Sequence, residues 1–254
     1  MIFQMRRVLV WLFGIIMLMS TDVYAVQDDL KPPKALHGDI MIGFAPVKTV
    51  HTFTIDVNLH FDYGNWESAK FFFNGGILTL VKSGTGTDGF QPDRYRGTLE
   101  TGARWEKPNG DLEVFVKHHS YQDIDHFDQI KESYEILGVR YKSSLPGPVN
   151  TMVSLGKYTN LGDLDYSWDF AASADTSLAE CPRKNRIYYA ADIHVVTENG
   201  ESSTRNGFID YGLEAGIQNR ESVRYFVAYR LIHDIDRFNG ETEKAFQIGT
   251  RYRW

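Results

Sequence analysis

One segment of the sequence constrains the fold more than any other. From Phe53 to Tyr63 every odd position is apolar and every even position is polar or charged. Alternation with a period of two indicates a β-strand with one apolar and one polar face. The 11 alternating residues exceed the roughly five or six of an ordinary strand and match the roughly 9–11 of a tilted strand that crosses a bilayer. The segment therefore predicts a membrane-spanning strand.

The same alternation recurs along the rest of the chain. It predicts 12 strands, at 38–46, 50–64, 69–83, 94–106, 111–122, 132–143, 149–159, 164–173, 186–198, 206–218, 222–233 and 244–254. An even number is what single-chain bacterial barrels require, so we predict an all-β, antiparallel transmembrane β-barrel. The stretch 174–185 is long where a short turn is expected. Ten strands therefore remain an alternative.

The polar face of the predicted strands carries charge. Apolar side chains outside and charged ones inside are the reverse of a soluble barrel, and they suit a lipid-facing wall around a wet lumen. Strand parity assigns the following side chains to the lumen: Asp56, His60, Asp62, Arg94, Arg96, Glu100, Arg104, Lys117, Arg140, Asp192, His194, Asp210, Glu214, Arg224 and Arg251. Because both signs occur in number, they suit either interior salt bridges or a small polar channel.

Residues 1–25 are predicted to be a cleaved signal peptide. Two arginines precede an apolar run at 8–19, and Val23 and Ala25 supply the small residues of a cleavage site. The run of 12 residues is shorter than the ~20 that a helix needs to span a bilayer. The barrel domain is then expected at 26–254.

Composition excludes several other classes of protein. The single Cys181 excludes a disulfide framework and a cysteine-rich zinc module, and the net charge of −6 offers no footprint for nucleic acid. No dedicated cofactor or metal site is predicted. The acidic loops that contain Asp123, Asp125, Asp234 and Asp236 suit at most a loosely bound divalent cation such as calcium.

The C-terminal strand alternates to the last residue of the chain. Phe246, Ile248, Thr250, Tyr252 and Trp254 share one face, and the final residue is aromatic. This pattern resembles the terminal assembly signal of Gram-negative outer-membrane β-barrels. The resemblance implies a location in the bacterial outer membrane, with membrane lipids and lipopolysaccharide as surroundings. It also implies that the barrel assembly machinery recognises the C-terminal strand.

Two predicted hairpins share an internal repeat. Residues 123–141 and 234–252 lie 111 positions apart and are identical at 8 of 19 positions. In both copies an arginine with lumen parity, Arg140 or Arg251, lies two residues after a glycine. The glycine is expected to leave room for close packing inside the barrel.

A histidine and a serine lie two positions apart in the fifth predicted strand. His118 and Ser120 therefore share a face, which parity with Val114 and Val116 makes the lipid-facing one. A histidine in this position could deprotonate the serine for nucleophilic attack. The H-x-S pattern resembles that of two membrane-barrel hydrolases, outer-membrane phospholipase A and lipid A deacylase. The resemblance implies an orienting polar residue twelve positions after the serine, which is Glu132 here.

The sequence departs from that pattern at two positions. Tyr121 follows the serine where the hydrolases carry Asn, and Glu132 has lumen parity with Arg140. Ser133 and Glu135 have the lipid-facing parity instead. The sequence thus predicts an outer-membrane barrel with a charged lumen, acting as a small passive channel or a structural barrel. A lipid esterase or deacylase is the alternative, and a binding or adhesion barrel that acts through its outer loops is a third.

Overall fold

The computed structural model of the protein describes most of the predicted barrel. The described residues are 36–45, 51–82, 91–123, 130–144, 149–159, 166–180, 185–198, 207–219, 222–233 and 242–254. The predicted signal peptide lies outside them. Within these ranges, no helix is both long enough and apolar enough to cross a membrane.

The described residues form one closed antiparallel barrel. Its 12 strands are β1 (His37–Phe44), β2 (His51–Trp66), β3 (Ala69–Lys82), β4 (Gln91–Lys107), β5 (Gly110–Asp123), β6 (Ile130–Ser144), β7 (Val149–Tyr158), β8 (Tyr166–Glu180), β9 (Asn185–Glu198), β10 (Phe208–Asn219), β11 (Val223–His233) and β12 (Thr242–Arg253). Each strand pairs with its neighbours in sequence, and β1 closes the barrel by pairing with β12. The predicted fold is confirmed, and the alternative of ten strands is wrong.

Strand β8 is longer than the alternation predicts. It extends to Glu180 and pairs with both β7 and β9, so that the connection to β9 is residues 181–184 rather than 174–185. Its second half begins with alanines, a serine and an aspartate between Ala171 and Thr176. Such small side chains give little contrast between the two faces. The backbone ladders on both sides hold this part of the strand in the sheet.

The outer surface of the barrel is apolar. Leu99 on β4 and Leu213 on β10 are each more than half exposed, at 53% and 57%, whereas their neighbours Glu100 and Glu214 are both only 6% exposed. Carboxylates inside and leucines outside are the reverse of a soluble protein. The wall therefore suits contact with lipid acyl chains.

Aromatic rings inside the barrel lie against glycines of the following strand. The directly opposed pairs are Phe72 and Gly102, Phe115 and Gly138, Tyr188 and Gly216, and Phe226 and Gly249. A Cβ on Gly138 would lie 2.5 Å from Phe115 Cζ, and one on Gly249 would lie 2.4 Å from Phe226 Cζ. Only glycine leaves room for these rings. The two similar hairpins therefore share one more feature. In each, a phenylalanine ring of the preceding strand packs on the glycine that lies two residues before Arg140 or Arg251.

Candidate functional site

A histidine and a carboxylate meet on the outer wall of the barrel. His118 on β5 and Glu135 on β6 are directly opposed, and His118 Nδ1 lies 3.2 Å from Glu135 Oε1. Both side chains remain partly exposed, at 38% and 41%. Polar groups are costly against lipid because no water is available to solvate them. The pair therefore stands out from the apolar side chains around it.

Ser120 lies two residues after His118 on the same face of β5, and among the described contacts no hydrogen bond joins the two side chains. The face is defined by Val116, which is 47% exposed, whereas the preceding Phe115 is only 3% exposed. Directly opposite Ser120 on β4 is Gly97, and a Cβ there would lie 2.8 Å from Ser120 Oγ. The glycine keeps the space next to the hydroxyl open. Sequence reasoning does not identify Gly97, although a glycine within an alternating strand is a signal for such a close approach.

The register of β5 and β6 selects the carboxylate that reaches His118. Glu132 pairs through its backbone with Tyr121, whereas Glu135 pairs with His118. The side chain of Glu132 lies outside the described residues. The residue twelve positions after Ser120, Glu132, is therefore not the residue that lies opposite His118. The ladder also contains an irregularity between Tyr121 and Gln122, which a count along the sequence does not detect.

The geometry of the pair suits proton transfer at the other imidazole nitrogen. A carboxylate that accepts a hydrogen bond from Nδ1 holds the imidazole in one tautomer and orientation. The second nitrogen, Nε2 of His118, is then free of that proton and can act as a base. A serine hydroxyl on the same face, two residues away, is the group that such a base would activate.

The interior of the barrel contains a network of ion pairs. Glu113 is fully buried and accepts hydrogen bonds from Arg104 Nε at 2.8 Å, Arg140 Nη1 at 3.0 Å and Lys142 Nζ at 2.8 Å. Arg140 also donates to both oxygens of Glu100, at 2.6 and 2.9 Å. Three cations thus converge on one carboxylate with no solvent contact.

A second network surrounds Glu214 on β10. Its carboxylate accepts hydrogen bonds from Tyr188 at 2.8 Å, Arg230 at 3.2 Å and Arg251 at 3.3 Å. Arg224 donates to Asp175 on β8. The two networks show that mixed charges in the lumen pair with one another.

A chamber of about 380 Å³ also lies inside the barrel, between β4 and β10. Arg96, Lys117, His194 and Asp210, all predicted to face the lumen, line it together with His119 and Asp169. Asp169 is not among the predicted lumen residues, although it lies between the outward-facing Trp168 and Phe170.

The structure places the other predicted lumen residues as follows. Asp62 pairs with Arg104, His60 hydrogen-bonds Asn74, Asp192 pairs with Arg230, and Asp56 lies near Arg230 and Arg251. The side chain of Arg94 lies outside the described residues, as do those of the acidic loops where a loosely bound cation is predicted. Within the described part of the chain, no group of three or more His, Cys, Asp or Glu side chains could hold a metal ion.

Comparisons with known proteins bear on the fold. No protein-family model matches the sequence, and a search of curated proteins found no relative. Among solved structures, the outer membrane phospholipase of Salmonella typhi, described as a dimer with bound calcium, is similar with a TM-score of 0.58 and 8% identity, over 89% of this chain and 94% of that one. Outer membrane phospholipase A from Escherichia coli gives a TM-score of 0.58 and 9% identity, over 88% and 98%.

A porin shows the same architecture. The KdgM porin is similar with a TM-score of 0.50 and 7% identity, over 85% of this chain and 98% of that one. At such low identities the likeness concerns the fold alone. Together with the closed barrel and its apolar outer wall, it identifies the fold as that of a Gram-negative outer-membrane β-barrel.

Proposed function

We propose that this barrel is a lipid hydrolase of the outer membrane that cleaves an acyl ester or amide with Ser120. The observation that carries the proposal is the contact of 3.2 Å between His118 and Glu135 on the lipid-facing wall. A structural barrel has no need for a histidine–carboxylate pair on the outward face of its wall. Beside a serine on the same face, that pair has the composition of an activated nucleophile.

In the proposed reaction, Ser120 Oγ attacks the acyl carbonyl carbon while His118 Nε2 takes the hydroxyl proton. The bond to the leaving alcohol or amine then breaks, and the leaving group receives that proton. Water, activated by the same imidazole, releases the fatty acid and regenerates the serine. Glu135 is a positioning residue, since it acts only through the imidazole.

The surroundings of the site support a lipid as the substrate. Leu99 is the cross-strand partner of His118, and it is 53% exposed. Val116 and Leu137, at 47% and 51% exposed, lie one step along the same face. A lipid that diffuses along the barrel wall would place its acyl chain against these side chains and its carbonyl beside Ser120.

Covalent labelling tests the proposal directly. The full chain in detergent micelles is treated with a fluorophosphonate, which reacts with activated serines, and the modified residue is mapped by mass spectrometry. We expect modification at Ser120, and release of fatty acid when phospholipid is added to the micelles. A barrel that neither reacts nor releases fatty acid contradicts the proposal, as does labelling at a different serine.

Removing the charge of the positioning carboxylate should slow the reaction. For Glu135→Gln we expect a loss of about 10²- to 10⁴-fold in kcat, because an amide cannot hold the imidazole in the productive tautomer. Glu132→Gln, measured in the same lipid assay, should cause a much smaller loss, since the Glu132 backbone pairs with Tyr121. A larger loss in kcat for Glu132→Gln than for Glu135→Gln would indicate that Glu132, twelve residues after the serine, orients the imidazole instead of Glu135.

A small passive channel is the second candidate function, favoured by the chamber in the lumen. The packing next to the chamber counts against an open path, because Phe72, Glu113 and Phe115 are at most 3% exposed. Steady single-channel conductance of the purified barrel in planar bilayers would support the channel. If the barrel shows no conductance but hydrolyses lipid, the channel function is rejected and the hydrolase function is retained.

We also propose how the barrel reaches the outer membrane and what surrounds it there. After removal of residues 1–25, the barrel assembly machinery would recognise the C-terminal strand that ends at Trp254. Phospholipid and lipopolysaccharide would then surround the wall. A loosely held divalent cation, such as calcium, would bind at the acidic outer loops rather than at a dedicated site.

A further inference from the structure

The chamber inside the barrel has the size and the polarity of a ligand site. Its volume of about 380 Å³ equals that of roughly a dozen water molecules and falls within the range of about 300–1,000 Å³ for small-molecule pockets. One wall is basic, with Arg96 and Lys117 from β4 and β5, and the other carries Asp169 and Asp210 from β8 and β10.

Lys117 has no carboxylate partner on its own wall. Its cross-strand neighbour is Glu100, which would be the obvious partner. Both oxygens of Glu100 are bound by Arg140, at 2.6 and 2.9 Å, and Asn74 donates to one of them at 2.6 Å. Among the described residues, no ion pair joins Lys117 Nζ to a carboxylate. Lys117 is one of the residues that line the chamber.

The carboxylates of the opposite wall are turned towards a histidine. His194 Nε2 lies 2.7 Å from Asp169 Oδ2, and His194 Nδ1 lies 3.9 Å from Asp210 Oδ2. The hydroxyl of Tyr158 also donates to Asp169, at 3.5 Å. Asp169 and Asp210 thus both lie near His194, and Asp169 also accepts a hydrogen bond from Tyr158. Lys117 is close enough to Asp169 for electrostatic attraction, but among the described contacts it forms no ion pair with Asp169 or Asp210.

We infer that the chamber binds a small oxyanion, a phosphate or carboxylate group, at Lys117. Lys117 is only partly buried, and its ammonium group, which no carboxylate of the described residues contacts within ion-pair distance, can donate charge-assisted hydrogen bonds to an anion. The guanidinium of Arg96 on the same wall offers the planar donors that suit carboxylate and phosphate oxygens. His119, whose ring stacks on Tyr134 with centroids 5.0 Å apart, supplies a flat surface beside the anion.

The anion site and the proposed hydrolase use different side chains, although Ser120 also borders the chamber. Lys117 and His119 project into the lumen, whereas His118 and Ser120 project from the opposite face of β5. Loss of one site therefore leaves the other testable. A barrel that cleaves lipid but binds no anion, or the reverse, separates the two proposals.

Phosphate binding to the full-length barrel tests the inference. The protein is folded in a nonionic detergent and titrated with inorganic phosphate by isothermal titration calorimetry. We expect saturable binding, a loss of about 10- to 100-fold in affinity for Lys117→Met, and near wild-type affinity for Lys117→Arg. Lys70→Met is the matched control, because Lys70 is already paired with Glu106, and its affinity should not change.

Two results would overturn the inference. One is the absence of saturable phosphate binding to the folded wild-type barrel. The other is an equal loss of affinity in Lys117→Met and Lys70→Met, which would indicate a diffuse charge effect. If Lys117→Met does not assemble, as judged by heat-modifiable gel mobility, Lys117→Gln replaces it. This variant keeps a polar end group but lacks the charge, and it should show the same loss.

Discussion

Ser120→Ala should abolish lipid hydrolysis and leave the barrel folded. The substitution removes the proposed nucleophile, and loss of the serine in a serine–histidine site costs up to about 10⁶-fold in kcat. We expect a loss of at least about 10⁴-fold in the release of fatty acid from mixed micelles. The fold should be kept, since the hydroxyl lies on the outer wall and an alanine methyl group suits lipid. Heat-modifiable gel mobility reports whether the barrel is assembled.

Ser133→Ala is the matched control for this experiment. Ser133 stands directly opposite Ser120 on β6 and is exposed, whereas Ser120 is partly buried. Ser133→Ala therefore removes an equivalent hydroxyl group from the neighbouring strand. We expect Ser133→Ala to retain most of the activity. If both variants hydrolyse lipid at the wild-type rate, the assignment of Ser120 is wrong.

Glu113→Ala should be the most destabilising change in the interior. Its carboxylate is fully buried and is the shared acceptor of Arg104, Arg140 and Lys142. Removal of one partner from a buried ion pair costs about 3–5 kcal/mol, because the remaining charges lose their compensation. We expect a decrease of that size in the free energy of unfolding. Guanidinium titration of the barrel in lipid vesicles, followed by tryptophan fluorescence, measures it.

Glu106→Ala provides the comparison at an exposed ion pair. Glu106 pairs with Lys70, but its side chain is 54% exposed. Exposed pairs contribute about 0–1 kcal/mol because water already solvates both charges. The two variants remove the same group from the same region of the barrel wall, so their difference isolates the effect of burial. Equal destabilisation would mean that the network around Glu113 is solvated.

The faces of the strands are predictable because they depend on local geometry alone. In an extended chain, side chains alternate between the two faces whatever the strand pairs with. Parity therefore assigns Glu100 and Glu214 to the interior and His118 and Ser120 to one common face. It fails in the second half of β8, where alanines and short polar residues make the two faces alike.

The partners of each side chain are not predictable in the same way. Glu100 lies opposite Lys117 on the neighbouring strand, yet its carboxylate binds Arg140, which lies one strand further. Glu113 binds its two direct cross-strand neighbours, Arg104 and Arg140, and in addition Lys142, which lies two residues further along β6. These choices depend on the curvature of the closed barrel, which brings the ends of long side chains together across strands. Parity along one strand carries no information about them.

Alternation along the chain is enough to predict the class of fold and the common face of His118 and Ser120. The strand pairing of the folded barrel is needed to show that Glu135 meets His118, that Gly97 leaves space beside Ser120, and that Lys117 lines the chamber. The physical reason is register. The side-chain period of two is a property of one strand, whereas the pairing of two strands depends on the whole ladder, its irregularities and the connection between them.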